Sequence, residues 1–148
     1  MSNEDKPLPV SRGFVDAIPH NRALGMKVVE FQRAEAVFSL PYDEKLVGNP
    51  DTGVLHGGAI TALLDACSGA AVFAALTEWS SIATLDLRID YLRAGEVGKE
   101  IRCRAHCYRL TRNVAFTRAV AYHDDEADPI ATSMGTFMLG TKAAGTKK

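Results

Sequence analysis

Residues 54–76 read Val-Leu-His-Gly-Gly-Ala-Ile-Thr-Ala-Leu-Leu-Asp-Ala-Cys-Ser-Gly-Ala-Ala-Val-Phe-Ala-Ala-Leu, and Asp65 carries the only charge between Ala59 and Leu76. Eighteen residues with a single charge are long enough to raise the question of a membrane span. Seven of these are alanine, with Thr61, Ser68 and Gly69 among them, and a central carboxylate is expensive in lipid. The stretch is therefore expected to be a helix buried inside a globular protein. At 100° per residue, Ile60, Leu63, Cys67, Ala70, Ala71 and Ala74 fall opposite Asp65, with Leu64 on the flank, so that side can pack on a sheet. Asp65 shares its own stripe with Gly58, Thr61, Ala62, Ser68, Gly69 and Val72, a face small enough for a backbone or thin substrate to approach. A carboxylate there is held part-way out of water, the setting in which acids become general bases. A structural carboxylate, capped by Thr61 or Ser68 or paired with an arginine, fits the same geometry.

His56-Gly57-Gly58 precedes this helix. Glycines admit close backbone approach, and the free N–H groups of a first helical turn, with the helix dipole, favour negative charge. Together they suit an oxyanion site, the central requirement of acyl transfer. A tight loop-to-helix turn with His56 as a cap is the plainer explanation. His56 and Asp65 are nine residues apart, about 13.5 Å along a helix. One copy cannot bring both to one carbonyl. A two-fold dimer with neighbouring antiparallel helices places Asp65 of one chain opposite His56 and Gly57 of the other.

Outward from the helix, a short helix is expected within Phe14–Leu24, two short strands within Met26–Leu40, and a loop over Pro41–Gly53. After it, Ile82–Leu92 alternates, with Leu85, Leu87, Ile89 and Tyr91 on one face and Thr84, Asp86, Arg88 and Asp90 on the other. Ile101–Leu110, Val114–Tyr122 and Ile130–Leu139 read as three further strands, parted by Thr111-Arg112-Asn113 and the acidic turn Asp124–Asp128. The fold class is α+β, one long helix beside five or six mostly antiparallel strands. At 148 residues the chain has room for one domain, with tails expected at about 1–12 and 141–148.

With 47% hydrophobic and 24% charged residues, the composition is that of a globular protein rather than a disordered chain. A net charge of −1 gives no field for nucleic acid or a membrane surface. Three cysteines, Cys67, Cys103 and Cys107, lack a disulfide-framework spacing, and residues 1–14 lack a signal-peptide core, so the expected location is the cytoplasm. Cys103, His106 and Cys107 invite a zinc reading, but on a strand His106 points away from the two thiols. No metal is expected, and no nucleotide cofactor, since no phosphate-binding loop or dinucleotide fingerprint occurs.

Asn49-Pro50, Gly53-Val54-Leu55-His56-Gly57-Gly58-Ala59, Leu63-Leu64-Asp65-Ala66 and Thr84-Leu85-Asp86-Leu87-Arg88-Ile89-Asp90-Tyr91-Leu92-Arg93 together resemble the hotdog-fold acyl-CoA thioesterases, nearest the PaaI-like phenylacetate-degradation branch. The similarity runs from about Met26 to Leu139. It implies a long helix wrapped by a curved antiparallel sheet, sites at a homodimer interface or in a dimer of dimers, and hydrolysis of an acyl-CoA with an aromatic or short- to medium-chain acyl group, CoA being the only nucleotide. By position it implies Asp65 as nucleophile or general base, Gly57 as the N–H donor to the thioester oxygen, and His56 as the brace of that loop. Asn49 would orient the site or its water, and Thr84 would set a hydroxyl near the acid. Asn49 to His56 spans seven positions where the common pattern spans six, a departure that bears on Asn49. For CoA, residues 86–118 hold eight Lys or Arg against four acids, and Arg93, Arg109, Thr111, Arg112 and Asn113 are the implied phosphate-side contacts. A hotdog hydratase or dehydratase, or a silent acyl-CoA-binding module, would share much of this pattern. An Asp65 salt-bridged and shielded from any pocket would favour the silent module.

Overall fold

A computed structural model describes Leu8 and residues 10–140 of the chain. Of the expected tails, the remainder of 1–9 and residues 141–148 lie outside the described residues. Residues 10–12 belong to the fold: Val10 is buried, and the Ser11 hydroxyl accepts from the Phe14 N–H to cap α1 (Arg12–Asp16). The single short helix expected here is two, because Pro19 opens α2 (Pro19–Ala23) and holds Ile18 extended at φ −62°, ψ 120°. Gly25, at φ +76°, then turns the chain into β1 (Lys27–Gln32).

β1 pairs with β2 (Glu35–Leu40), as the two expected strands should. The next segment is more regular than a loop. Glu44–Leu46 makes a turn of 3-10 helix, and β3 (Val47–Asn49) pairs with β4 (Val54–Leu55). Gly48 permits that pairing, since a Cβ there would stand 2.7 Å from the His56 Cα.

α3 (Gly57–Ala75) is long and apolar enough by length and composition to cross a membrane, but it packs inside a six-stranded antiparallel sheet, chiefly on β2, β6 and β7. The sheet continues with β5 (Ile82–Tyr91), β6 (Ile101–Leu110), β7 (Val114–Tyr122) and β8 (Ala131–Leu139), in the order β1-β2-β6-β7-β8-β5. The side of α3 opposite Asp65 is buried as its spacing demands: Leu63, Cys67, Ala70 and Ala71 share one core with Phe38 and Phe137, and Ala74 is buried as well. Alanines at the contact let a 19-residue helix lie close to the strands. Part of the Asp65 stripe is covered too, since Ser68, Gly69 and Val72 are buried and Ile82 and Phe137 pack on Gly69.

β5 departs from strict alternation. Its register to β8 shifts between Thr84 and Asp86, which leaves Leu85 as the extra residue of a bulge. Ile82 and Thr84 therefore face α3 on the same side as Tyr91, rather than Thr84 lying with Asp86.

The cysteines are free and buried. The Cys67 thiol lies within hydrogen-bonding distance of the Ala36 and Cys103 carbonyls. Burial, reinforced by Cys67, pushes the Cys103 thiol well above the usual range, and burial also raises Cys107, so neither offers a thiolate. His106 is exposed on the opposite face of β6, and no cluster able to hold a metal ion occurs among the described residues.

Candidate active site

His56 precedes α3 in an extended conformation, at φ −61° and ψ 137°, and its Nδ1 accepts the Gly58 N–H at 2.8 Å. This is an N-cap made by an imidazole, and it assigns the proton to Nε2, which is left as a donor. The Ala59 N–H is satisfied by the His56 carbonyl at 3.0 Å. The described residues supply no acceptor for the Gly57 N–H. An uncommitted donor at the positive end of a 19-residue helix suits a developing oxyanion.

Tyr91, quoted in the motif but given no role by the sequence, proves to be part of this turn. Its hydroxyl donates to the Gly57 carbonyl at 3.0 Å, its ring lies 3.6 Å from where a Gly57 Cβ would stand, and it also meets the Thr61 hydroxyl. Thr61 donates to the same carbonyl at 3.1 Å. The two hydroxyls and the Gly57 carbonyl share two protons over three contacts, a network that fixes the orientation of the first peptide of α3. The signal in the sequence is the Tyr itself, an aromatic with a polar tip at the end of an otherwise aliphatic strand face.

Asp65 lies two turns on, half-buried, and the Thr84 hydroxyl donates to its Oδ1 at 2.8 Å. The β5 bulge makes that contact, because it turns Thr84 toward the helix. Among the described residues no cation pairs with Asp65. The carboxylate opens on a cleft of about 280 Å³ whose walls include Ile18, Ala66, Gly69, Phe73, Ile82 and Phe137. A carboxylate held by one hydroxyl and lining a largely apolar cleft is set up to accept a proton or attack a carbon. Thr84→Val keeps the side-chain shape and removes the hydroxyl. Steady-state kinetics should show kcat lower by about tenfold with KM little changed, the scale of one hydrogen bond to a charged group.

Gly57 and Asp65 are eight residues apart on α3, about 12 Å. They serve opposite ends of β5, Gly57 at Tyr91 and Asp65 at Thr84. His56 borders a second cleft of about 340 Å³, with Lys45, Leu46 and Val47 on its other side. Asn49 lies in the exposed β3–β4 turn, where its Oδ1 accepts the Asp51 N–H at 3.0 Å and its carbonyl accepts the Gly53 N–H at 2.8 Å. Its side-chain oxygen thus shapes the loop that is one residue longer than the common pattern.

The residues expected at CoA divide into two groups. Arg109, Thr111, Arg112 and Asn113 are exposed around the β6–β7 turn, at the end of the sheet that holds Thr84. Thr111 builds the turn, with its hydroxyl bonded to the Val114 carbonyl at 2.8 Å, and the Asn113 carbonyl accepts from Leu139. Arg93 sits at the other end, where it holds the Asp128 carbonyl at 3.0 Å and its carboxylate at 3.3 Å.

A family model described as the thioesterase superfamily matches residues 52–130, which carry the α3 cap, Asp65, Thr84 and Tyr91. The chain belongs to the thioesterase superfamily. It is a thioester hydrolase with the hotdog fold, a long central helix against an antiparallel sheet. The Escherichia coli K12 protein named medium/long-chain acyl-CoA thioesterase YigI is 33% identical over 144 residues, covering 88% of this chain and 92% of its own. A solved Pseudomonas aeruginosa protein is 43% identical with a TM-score of 0.77, covering 86% of this chain and 94% of its own. A mutant of the phenylacetic acid degradation protein PaaI from Thermus thermophilus is 26% identical with a TM-score of 0.72, covering 82% and 98%.

Proposed function

We propose that this thioesterase hydrolyses acyl-CoA to the free acid and CoA, at sites shared by two copies of the chain. The observation that carries the reading is the Thr84-held Asp65 at the mouth of an apolar cleft, on the same helix as the uncommitted Gly57 N–H but about 12 Å from it. A homodimer in which Asp65 of one copy faces Gly57 and His56 of the other unites the two halves. The Gly57 N–H takes the thioester oxygen, and Nε2 of His56 supports the same loop. Water, deprotonated by Asp65, adds to the carbonyl carbon, and the electron pair of the C=O bond moves to the oxygen held by Gly57. The intermediate re-forms the carbonyl as the C–S bond breaks, and the departing CoA thiolate takes the proton from Asp65. In the nucleophilic variant, Asp65 itself attacks the carbon and water then cleaves the acyl-carboxyl anhydride.

Arg109 and Arg112, whose side chains make no hydrogen bond among the described residues, are the better placed contacts for CoA phosphates. Arg93 is engaged with Asp128 and acts mainly by bracing the β5 end. The acyl class we assign is medium-chain, where the small-residue cleft and the chain lengths in the name of the E. coli relative overlap. CoA enters as part of the substrate, with no further cofactor, and three buried free thiols suit the cytoplasm. Thiol release from a panel of aromatic, short, medium and long acyl-CoA esters tests the reading. The expected result is the highest kcat/KM at medium chain length, and no release from any ester would refute it.

A further inference from the structure

Asn21 is 5% exposed, on a short helical segment that sequence periodicity leaves without a role. Its main chain is committed, with the carbonyl accepting the Met26 N–H at 2.9 Å. Its side-chain amide has no hydrogen-bond partner among the described residues, although buried polar groups are normally paired. Asn21 lines the Asp65 cleft, so a group bound in that cleft can pair with the amide.

The level of Asn21 along the cleft decides what that partner is. Phe14 packs edge-on against Phe73 at 5.9 Å, so α1 covers the far, C-terminal half of α3. α2 covers the near half. His20 and Ala62 border both the Asp65 cleft and the His56 cleft, and Leu24 reaches Ala59 in the latter. Ala62 is one helical turn from Asp65. Asn21 therefore lies beside the reacting end of the cleft, and the apolar end at Val15 and Phe73 is left to the acyl chain.

A water that is to attack a carbonyl must direct one lone pair at the carbon, which is enforced when both of its protons are held. Asp65 accepts one and needs a neutral acceptor beside it for the other, because a second carboxylate would compete for the proton. Thr84 gives its one proton to Asp65 Oδ1, so it can offer the water only its remaining lone pairs. The amide of Asn21 is neutral, bonds to no described residue and belongs to a residue that lines the same cleft as Asp65. We infer that Asn21 holds the second proton of the water that Asp65 activates, and so selects water as the acyl acceptor. This rests on the hydrolytic reading above. In the step, the first proton passes to Asp65, the water oxygen bonds to the acyl carbon, and the proton on Asn21 stays with the new carboxyl group.

Asn21→Leu removes the amide at nearly constant size. The expected result is kcat lower by about 10²-fold with KM within a few-fold of wild type, the scale of misplacing one reacting atom. The melting temperature should be little changed, because the amide that is removed bonds to no described residue. Added hydroxylamine, which brings its own nucleophile, should recover acyl transfer to hydroxamate in Asn21→Leu more than hydrolysis recovers. Asn21→Ser, which restores a neutral oxygen, should regain part of kcat, and if Asn21→Leu fails to fold, Asn21→Ala carries the same comparison. Asp65→Asn is assayed in parallel. An inactive Asp65→Asn beside a fully active Asn21→Leu overturns this inference alone, whereas an active Asp65→Asn overturns the hydrolytic reading beneath it.

Discussion

Asp65→Asn should abolish steady-state thiol release from acyl-CoA while the ester still binds. The substitution is nearly isosteric, and the Thr84 hydroxyl can donate to the new amide oxygen as it does to Oδ1 at 2.8 Å. What disappears is the ability to take a proton or form a bond to carbon. Loss of a positioned general base lowers kcat by about 10²–10⁴-fold. Loss of a nucleophile costs more, because no residual route through the same intermediate survives. Magnitude alone leaves an overlap between these cases, so the decisive measurement is one turnover of wild-type enzyme in ¹⁸O-labelled water. Activation of water puts the label in the product acid on the first turnover. A nucleophilic Asp65 whose anhydride water opens at the Asp65 carboxyl carbon takes label into its own carboxyl group first, so label found in Asp65 establishes the nucleophilic route. Full thiol release by Asp65→Asn would remove Asp65 from the chemistry altogether.

The parts of this protein that its sequence makes legible are those where side-chain period and burial coincide. α3 can be read to within two residues of its observed start because its apolar positions repeat along one side, and Leu63, Cys67 and Ala71 are indeed sealed in the core. β6 and β7 begin and end where their flanking turns require. In β5 the extent is legible but the facing is not. A bulge adds one residue without any compositional mark, and Leu85, the apolar residue that alternation assigns inward, is 52% exposed. The resemblance places Thr84 beside the acid where alternation does not, and the structure agrees with the resemblance. The roles of Tyr91 and Asn21 are hidden for a different reason. Each depends on a contact between elements more than 30 residues apart in sequence, Tyr91 with Gly57 and α2 with the middle of α3, and no local period encodes such a meeting. The break at Pro19 is, by contrast, written in the chain, since the residue before a proline is driven out of the helical region.

Gly57→Pro isolates the second half of the site with little change to the helix. Position 57 is the first residue of α3, where a proline's missing N–H is not needed for the helix and its fixed φ is favourable. His56 already has the extended backbone that a following proline demands, and a Cβ at 57 meets Tyr91 only at 3.6 Å, an ordinary contact. The substitution therefore removes chiefly the uncommitted N–H of position 57. Loss of a single oxyanion donor lowers kcat by about 10²–10³-fold. Combining this chain with Asp65→Asn then tests where the two halves meet. In a mixed dimer with shared sites, one site draws its Gly57 from the Asp65→Asn chain and its Asp65 from the Gly57→Pro chain, and is intact. The other site carries both defects. Random exchange of equal amounts makes half of the dimers mixed, each with one working site of two, so activity should return to about a quarter of wild type. If each chain instead held a whole site of its own, every site in every mixture would carry one defect, and mixing two inactive proteins would restore nothing.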